Sequence, residues 1–202
     1  KLDEPFQRLL TQGMVLNEIW FRKPASGRIV YYDPADVTAT GEGEARRGIL
    51  ESDGQPVEYG GIGTMSKSRR NGVDPQALVD RYGADTARLF AMSNVPPEHT
   101  FEWSDEGVEG AFRFIKRVWK TVYAHVGGGP AVALDTAALD GPQRELRRQV
   151  HQTLVKVGDD IGRRQTFNTA IAAVMELLNT LTRFTDDTPR GRAVMQEALD
   201  LV

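Results

Sequence analysis

Apolar residues recur at helical spacing through the second half of the chain. The repeats, spaced by three or four positions, predict three helices that each bury one face. They are Val108, Phe112, Ile115, Trp119, Val122 and Val126; then Leu146, Val150, Leu154, Val157 and Ile161; then Phe167, Ile171, Val174, Leu178 and Leu181. The second and third should pack as an antiparallel pair, and a last helix begins near Pro189. The pattern indicates an α-helical bundle.

An earlier helix is predicted to begin at Pro75. Asp74 supplies the acceptor at the N-cap, and proline suits the first helical position. The helix should end near Ser93, because Val95-Pro-Pro97 does not allow it to continue. Ser104 then caps the first long helix of the bundle.

Short β-prone runs separated by turn residues occupy residues 17–63. The runs are Arg28–Tyr32, Arg47–Glu51 and Pro56–Tyr59, and Asp53-Gly54 between the last two predicts a hairpin. Gly41–Glu44 is predicted to be a flexible tip. This part is therefore a small β-rich insert, and the chain as a whole is predicted to be α+β.

The residues before the insert give two further expectations. Pro5–Thr11 predicts a short helix, and Gly13–Leu16 predicts the start of a buried strand. These residues are too few to form a core alone.

A stretch rich in glycine, cations and hydroxyls, Gly60–Asp74, lies between the insert and the helices. Glycine lets the backbone adopt positive φ and approach a ligand closely. Cations beside hydroxyl donors suit a triphosphate, so the stretch is predicted to bind phosphate. Its residues with this chemistry are Gly60, Gly61, Gly63, Ser66, Lys67, Ser68, Arg69, Arg70 and Gly72.

The formal net charge of -3 gives no overall attraction to nucleic acid, so a polyanion would have to meet local basic patches. Cations spaced i, i+3, i+4 and i+7 form one such helical face, which could meet phosphates or simply be solvated. These cations are Arg113, Lys116, Arg117 and Lys120. The same two alternatives apply to Arg144, Arg147, Arg148, Arg163 and Arg164.

Composition excludes several other kinds of site. The chain has no cysteine and only three dispersed histidines, so we predict no disulfide and no metal centre. No run approaches the roughly 18 apolar residues of a membrane span, and no secretory signal is present, so a cytoplasmic protein is expected. Both ends look cut, which suggests a fragment of a longer protein.

Thr64-Met-Ser-Lys-Ser68 resembles the Lys-Met-Ser-Lys-Ser signature of class I aminoacyl-tRNA synthetases. The surrounding sequence makes the match more specific: Glu4-Pro-Phe6, Leu10–Met14, Tyr82–Arg88 and Glu102–Ala111 are similar to bacterial leucyl-tRNA synthetases. The resemblance covers essentially the whole chain.

The resemblance implies a division of the chain. Residues 1–16 would be a remnant of the catalytic domain, 17–63 a leucine-specific β-rich insert, and 64–74 the ATP loop. Residues 75–202 would form the tRNA (anticodon)-binding bundle, truncated at its carboxy terminus. The complete enzyme would activate leucine with ATP and transfer it to tRNA(Leu), as a monomer without membrane association. The fragment alone should be inactive, because the paired-histidine motif of the family is absent.

The resemblance also implies roles for individual residues. Met65, Ser66, Lys67 and Ser68 would hold ATP, and Lys67 would be the catalytic cation. Thr64 replaces the first lysine of the signature, and Arg69 or Arg70 could supply its charge. Magnesium would accompany ATP with ligands outside this chain. The basic face of Arg113, Lys116, Arg117 and Lys120 is a candidate contact for tRNA, and a solvated face stays the alternative.

Other interpretations remain open. The chain could belong to a valyl-, isoleucyl- or methionyl-specific relative, or it could be a free-standing RNA-binding module. Trp103 and Trp119 are predicted to be core or interface anchors rather than base-stacking platforms.

Overall fold

The computed structural model describes residues 5–6, 9–25 and 27–201, which form two compact units. The first unit comprises residues up to 83 together with 98–105, and it contains a sheet. The second comprises residues 84–97 and 106 onward, and it is helical. The predicted α+β class is confirmed.

Six strands form the sheet of the first unit. They are β1 (Val15–Arg22), β2 (Val30–Tyr32), β3 (Val37–Thr40), β4 (Arg47–Leu50), β5 (Pro56–Thr64) and β6 (Phe101–Glu102). The order is β2-β1-β5-β4-β3, and β6 pairs in parallel with the start of β1. The predicted hairpin between β4 and β5 is confirmed: Gly54 has a φ of +67°, and its N–H donates to the Leu50 carbonyl over 2.9 Å.

The longest pairing of the sheet joins β1 and β5. Trp20 lies opposite Tyr59 and Glu18 lies opposite Ile62, so β5 contains one more residue than β1 between these pairs. Gly61, with a φ of +81°, lies at this bulge. Glycine is needed here because a bulge of this kind places one residue in the left-handed region.

Several sequence expectations for this unit need correction. β1 is longer than predicted, β3 was missed, and β5 continues to Thr64, so the glycines at 60, 61 and 63 belong to a strand rather than a loop. The predicted flexible tip at Gly41–Glu44 overlaps a 3₁₀ turn, Gly43–Ala45. The predicted helix over 5–11 includes Gln7 and Arg8, which lie outside the described residues, and the described remainder is not helical.

The predicted domain limits at 16/17 and 63/64 fall inside β1 and β5, so both strands cross them. The assignment of these parts to domains of a synthetase stays a prediction.

The core of the sheet is centred on Trp20, whose side chain is fully buried. It packs with Leu50 and Val57, and its ring lies 5.0 Å from that of Tyr59 at an angle of 47°. Its Nε1–H donates to Glu18, which is also paired with Arg46 at 2.7 Å. Burying the indole therefore leaves its polar group satisfied.

The helices are α1 (Pro75–Tyr82), α2 (Ala84–Ser93), α3 (Asp105–Gly127), α4 (Gly141–Asp159), α5 (Phe167–Arg183) and α6 (Pro189–Leu201). Asp74 caps α1 by accepting from the Gln76 N–H, as predicted. The single helix predicted over 75–93 is wrong, because Gly83 has a φ of +85° and separates α1 from α2. None of the helices in the described part of the chain is long and apolar enough to cross a membrane.

The core of the second unit joins α4, α5 and α6. Its buried residues are Leu139, Leu146, Val150, Leu177, Leu181, Val194 and Ala198. Leu146 near the start of α4 shares this cluster with Leu181 near the end of α5. The two helices are therefore antiparallel, as predicted.

The predicted apolar stripe of α3 is only partly buried. Val108 is fully buried, whereas Trp119 is 74% and Val126 is 65% exposed. The prediction of one continuous buried stripe is therefore wrong for the second half of the helix. A core role for Trp119 is excluded, and a role as an interface anchor stays a prediction. Trp103 is half-buried, and its Nε1–H donates to Asp105.

A buried carboxylate organises the junction between α4 and α5. The predicted simple join at Gly162–Gln165 is a π-helical turn, Asp160–Arg164, and the Asp160 side chain is only 1% exposed. It accepts from Lys156 Nζ at 2.6 Å and from Arg164 Nη1 at 3.0 Å. The Thr169 hydroxyl donates to it at 2.7 Å. These donors, with Lys156 first, lower the pKa of Asp160 to about 2.

Replacing Asp160 with asparagine should flatten the acid dependence of stability. A carboxyl whose pKa falls on folding stabilises the fold above its unfolded pKa of 3.8, and this contribution is lost as pH drops toward 2. Thermal melts followed by circular dichroism from pH 6 to pH 2 would measure the slope. Asp187→Asn, at an exposed position, is the control and should leave the slope unchanged. An Asp160→Asn slope equal to that of the unsubstituted chain would contradict the prediction.

Candidate functional site

The Met65–Arg70 segment leaves the sheet directly from the end of β5. The Met65 N–H donates to the Val15 carbonyl at 3.2 Å, which keeps the first residue of the segment beside the start of β1. Lys67–Arg69 then form a 3₁₀ turn, and the Arg70 N–H donates to the Lys67 carbonyl at 3.3 Å. Arg70 has a φ of +52°, so the left-handed residue of this segment is not a glycine.

The two serines of the signature lie beside each other. Ser66 caps the 3₁₀ turn, because its hydroxyl accepts from the Arg69 N–H at 3.3 Å. The hydroxyl oxygens of Ser66 and Ser68 are 3.4 Å apart. The structure thus brings together two of the predicted phosphate-binding groups on one turn.

Lys67 lies on this turn with its side chain exposed. No hydrogen bond or ion pair joins its ammonium group to a residue within the described ranges. The positive charge is therefore available to an anionic ligand, because no carboxylate among the described residues pairs with it.

Asn71, which the sequence analysis did not select, fastens the loop to the sheet. Its side chain is fully buried. Oδ1 accepts from the Ser66 N–H at 2.9 Å, and Nδ2 lies 3.2 Å from the Gly63 carbonyl. Nδ2 also lies 3.4 Å from the carbonyls of Asn17 and Thr64. Nothing in the local sequence distinguishes Asn71 from an ordinary loop asparagine, and only the fold shows that it is buried.

Thr64 and Arg69 bear on the missing first lysine of the signature. The Thr64 hydroxyl lies 4.0 Å from the sulfur of Met14, so it is directed at a weak acceptor. The Arg69 guanidinium packs over Gly63, where an added Cβ would lie 3.1 Å from Nη1 and 2.9 Å from Cδ1 of Ile19. Arg69 therefore places a cation beside the residue that precedes Thr64.

The basic face of α3 is exposed, as the spacing predicted. Lys116 Nζ lies 4.3 Å from the centre of the Phe112 ring, and Arg113 pairs with Glu109 at 3.6 Å. Arg117 donates to Asn179. These contacts are weak or peripheral, so the charges stay open to solvent. Contact with tRNA stays a prediction.

The arginines of α4 and of the π-helical turn are mostly paired within the protein. The pairs are Arg147–Glu197, Arg148–Glu145, Arg163–Asp159 and Arg164–Asp160. Arg148 and then Gln149 lower the pKa of Glu145 to about 2 by hydrogen bonding to its carboxylate. Carboxylates of the protein thus partly neutralise these four charges, which weighs against RNA binding by these residues.

Within the described ranges, no group of three or more His, Asp or Glu side chains converges as a metal site would require. Magnesium ligands outside this chain stay a prediction.

The structure of the chain is similar to that of a class I aminoacyl-tRNA synthetase. The agnB2 LeuRS of Agrobacterium radiobacter K84, solved in a ternary complex with tRNA and LeuAMS, has a similar structure. The TM-score is 0.60 at 26% identity, over 68% of this chain and 18% of that one.

The sequence comparison is more specific. The chain is 62% identical to the leucine--tRNA ligase of Nitrosospira multiformis and 60% identical to that of Marinobacter nauticus. Each match covers 98% of this chain and 23% of the relative. No protein-family model matches the chain. The predicted resemblance is confirmed: the chain corresponds to a segment of the bacterial leucine--tRNA ligases and spans about a quarter of their length.

Proposed function

We propose that this chain supplies the ATP signature loop and the tRNA-binding helices of a leucine--tRNA ligase. The whole protein would join leucine to tRNA(Leu) at the expense of ATP. The observation that carries the proposal is an exposed Lys67, without a partner in the described part of the chain, on a loop held to the sheet. The surrounding sequence is similar to these ligases along nearly all of its length. Met65, Ser66, Lys67 and Ser68 form the proposed ATP site.

Lys67 is the proposed catalytic cation. In the first step the leucine carboxylate forms a bond to the α-phosphorus of ATP. The bond from that phosphorus to the bridging oxygen breaks, and its electron pair leaves on pyrophosphate. Negative charge on pyrophosphate grows toward the transition state, so an ammonium group beside it stabilises that state more than the ground state.

The neighbouring groups of the loop complete the proposed site. The Ser66 and Ser68 hydroxyls can donate to phosphate oxygens, and Arg69 adds the charge that Thr64 lacks. Magnesium would arrive with the phosphates of ATP. No general base is required, since transfer of this kind depends mainly on positioning and electrostatics.

Leucine-dependent exchange between ATP and pyrophosphate tests the function. The complete protein that includes this chain is assayed with leucine, valine, isoleucine and methionine, and leucine should support the fastest exchange. Faster exchange with another amino acid would favour a different class I synthetase. Salt-dependent tRNA binding without any exchange would favour the RNA-binding module.

The exposed face of α3 is the proposed contact with tRNA phosphates. Replacing Lys116 and Lys120 together with alanine should weaken tRNA binding and reduce its dependence on salt. A protein that makes fewer phosphate contacts releases fewer counterions from the tRNA when it binds. Filter binding at several salt concentrations would measure both effects. The matched control replaces Arg88 and Arg190, which are also exposed. An equal loss in both double variants would contradict a specific role for the face.

We also propose that the protein acts in the cytoplasm as a monomer. The similarity to bacterial tRNA ligases supports the cytoplasmic location, because their tRNA substrate is cytoplasmic. Sedimentation of the complete protein would test the second.

A further inference from the structure

Asn71 is unusual among the polar residues around the signature, because its amide is completely removed from solvent. Buried amides are retained where each polar atom finds a partner. Here the partners are backbone groups of three separate segments: β1, the end of β5 and the loop itself. A residue that merely filled space would not need this set of donors and acceptors.

One hydrogen bond of the Asn71 side chain and one backbone hydrogen bond fix the turn that carries Lys67. Before Lys67, the Ser66 N–H donates to Oδ1 of Asn71 at 2.9 Å. After it, Arg70 closes the turn onto the Lys67 carbonyl, and the chain enters the buried Asn71. Lys67 thus lies on a six-residue ring that runs from Ser66 to Asn71 and is closed by one side chain.

Asn71 does not compete with Lys67 for a ligand. It is buried beneath the turn, whereas Lys67 and Ser68 are exposed. Its effect on chemistry must therefore pass through the position of the loop.

We propose that Asn71 is a positioning residue that holds Lys67 where it meets the charge developing on pyrophosphate. The inference rests on the proposed function. Loss of the amide frees the loop from β1 and β5, so the ammonium group is placed correctly for a smaller fraction of the time. Small displacements of a charged group at a reacting centre reduce rates by large factors. The rate constant of activation falls, and the KM for ATP changes less.

A double-mutant cycle on the complete protein tests the proposal. Leucine-dependent exchange is measured for the unsubstituted protein, Lys67→Ala, Asn71→Ala and the double variant. Asn71→Ala should lower kcat about 10-fold, and Lys67→Ala about 100-fold. If Asn71 acts through Lys67, the double variant loses about 100-fold, whereas independent roles give about 1,000-fold. The independent result would overturn the inference.

A second variant keeps the test decisive if the alanine protein does not fold. Asn71→Thr has nearly the same volume and no charge, but its single hydroxyl cannot bridge the Ser66 N–H and the carbonyls of Gly63 and Asn17 as the amide does. It should show the same dependence on Lys67. Asn94→Ala, at an exposed asparagine, is the control and should retain full exchange.

The two proposals fail differently. No leucine-dependent exchange in the unsubstituted protein overturns the proposed function, and the inference with it. Normal exchange together with a full-rate Asn71→Thr variant overturns the inference alone.

Discussion

Replacing Lys67 with alanine should lower leucine-dependent exchange between ATP and pyrophosphate by about 100-fold in the complete protein. The side chain is exposed and has no partner among the described residues, so its removal leaves the fold intact and removes only charge offered to a ligand. Losing one group that stabilises transition-state charge costs about 100-fold to 1,000-fold in kcat. The KM for leucine should stay within about a factor of three, because Lys67 is proposed to contact phosphate.

The control for this prediction is another exposed lysine of the same unit. Lys23 lies at the end of the sheet, with its ammonium group 5.4 Å from the centre of the Phe21 ring. Lys23→Ala should exchange at the rate of the unsubstituted protein. Lys67→Arg retains the charge with a different shape and should recover part of the lost rate. Full activity in Lys67→Ala would remove Lys67 from the mechanism.

The sequence predicted the helices better than it predicted the sheet. Helical periodicity and the cap at Asp74 depend on nearby residues, and both are observed. The break at Gly83 was missed because the apolar pattern continues across it, and one glycine with a φ of +85° is enough to separate two helices. Strand β3 was missed because Val37–Thr40 becomes a strand through pairing with β4, which no local pattern shows.

In the candidate site, too, local sequence identified some residues, whereas the roles of others depend on distant contacts. The Met-Ser-Lys-Ser residues were identified from local sequence, and they do lie on one exposed turn. The glycines before them were thought to form part of the loop, but the structure uses Gly61 for a bulge and Gly63 for close packing against Ile19. Asn71 was missed because its importance depends on contacts with Asn17, which is 54 residues away.

The α3 stripe shows the limit of periodicity in a different way. The pattern correctly gave the helix and its apolar side, but burial requires a partner as well as a pattern. Among the described residues, Trp119 and Val126 in the second half of the stripe are left mostly exposed. Periodicity therefore indicated which side of the helix is apolar without showing how far that side is covered.

Trp20→Ala should be the most destabilising single substitution in the sheet unit, by about 3 to 5 kcal/mol. The indole is fully buried among Leu50, Val57 and Tyr59, so its removal loses the transfer energy of the ring and leaves a cavity. The strand that carries it also provides the carbonyls of Val15 and Asn17 to the signature loop. Loss of the core should therefore loosen the segment that holds Lys67.

Urea unfolding followed by fluorescence would measure this effect in the first unit. Trp103 belongs to that unit and remains as the reporter once Trp119 is replaced by phenylalanine. Trp119→Ala is the matched control in separate circular dichroism experiments, because its side chain is 74% exposed and its loss should change stability by about 0.5 kcal/mol or less. A loss of only about 0.5 kcal/mol for Trp20→Ala, the size expected at an exposed position, would show that the sheet does not depend on its buried indole. The anchoring of the loop through β1 would then need another cause.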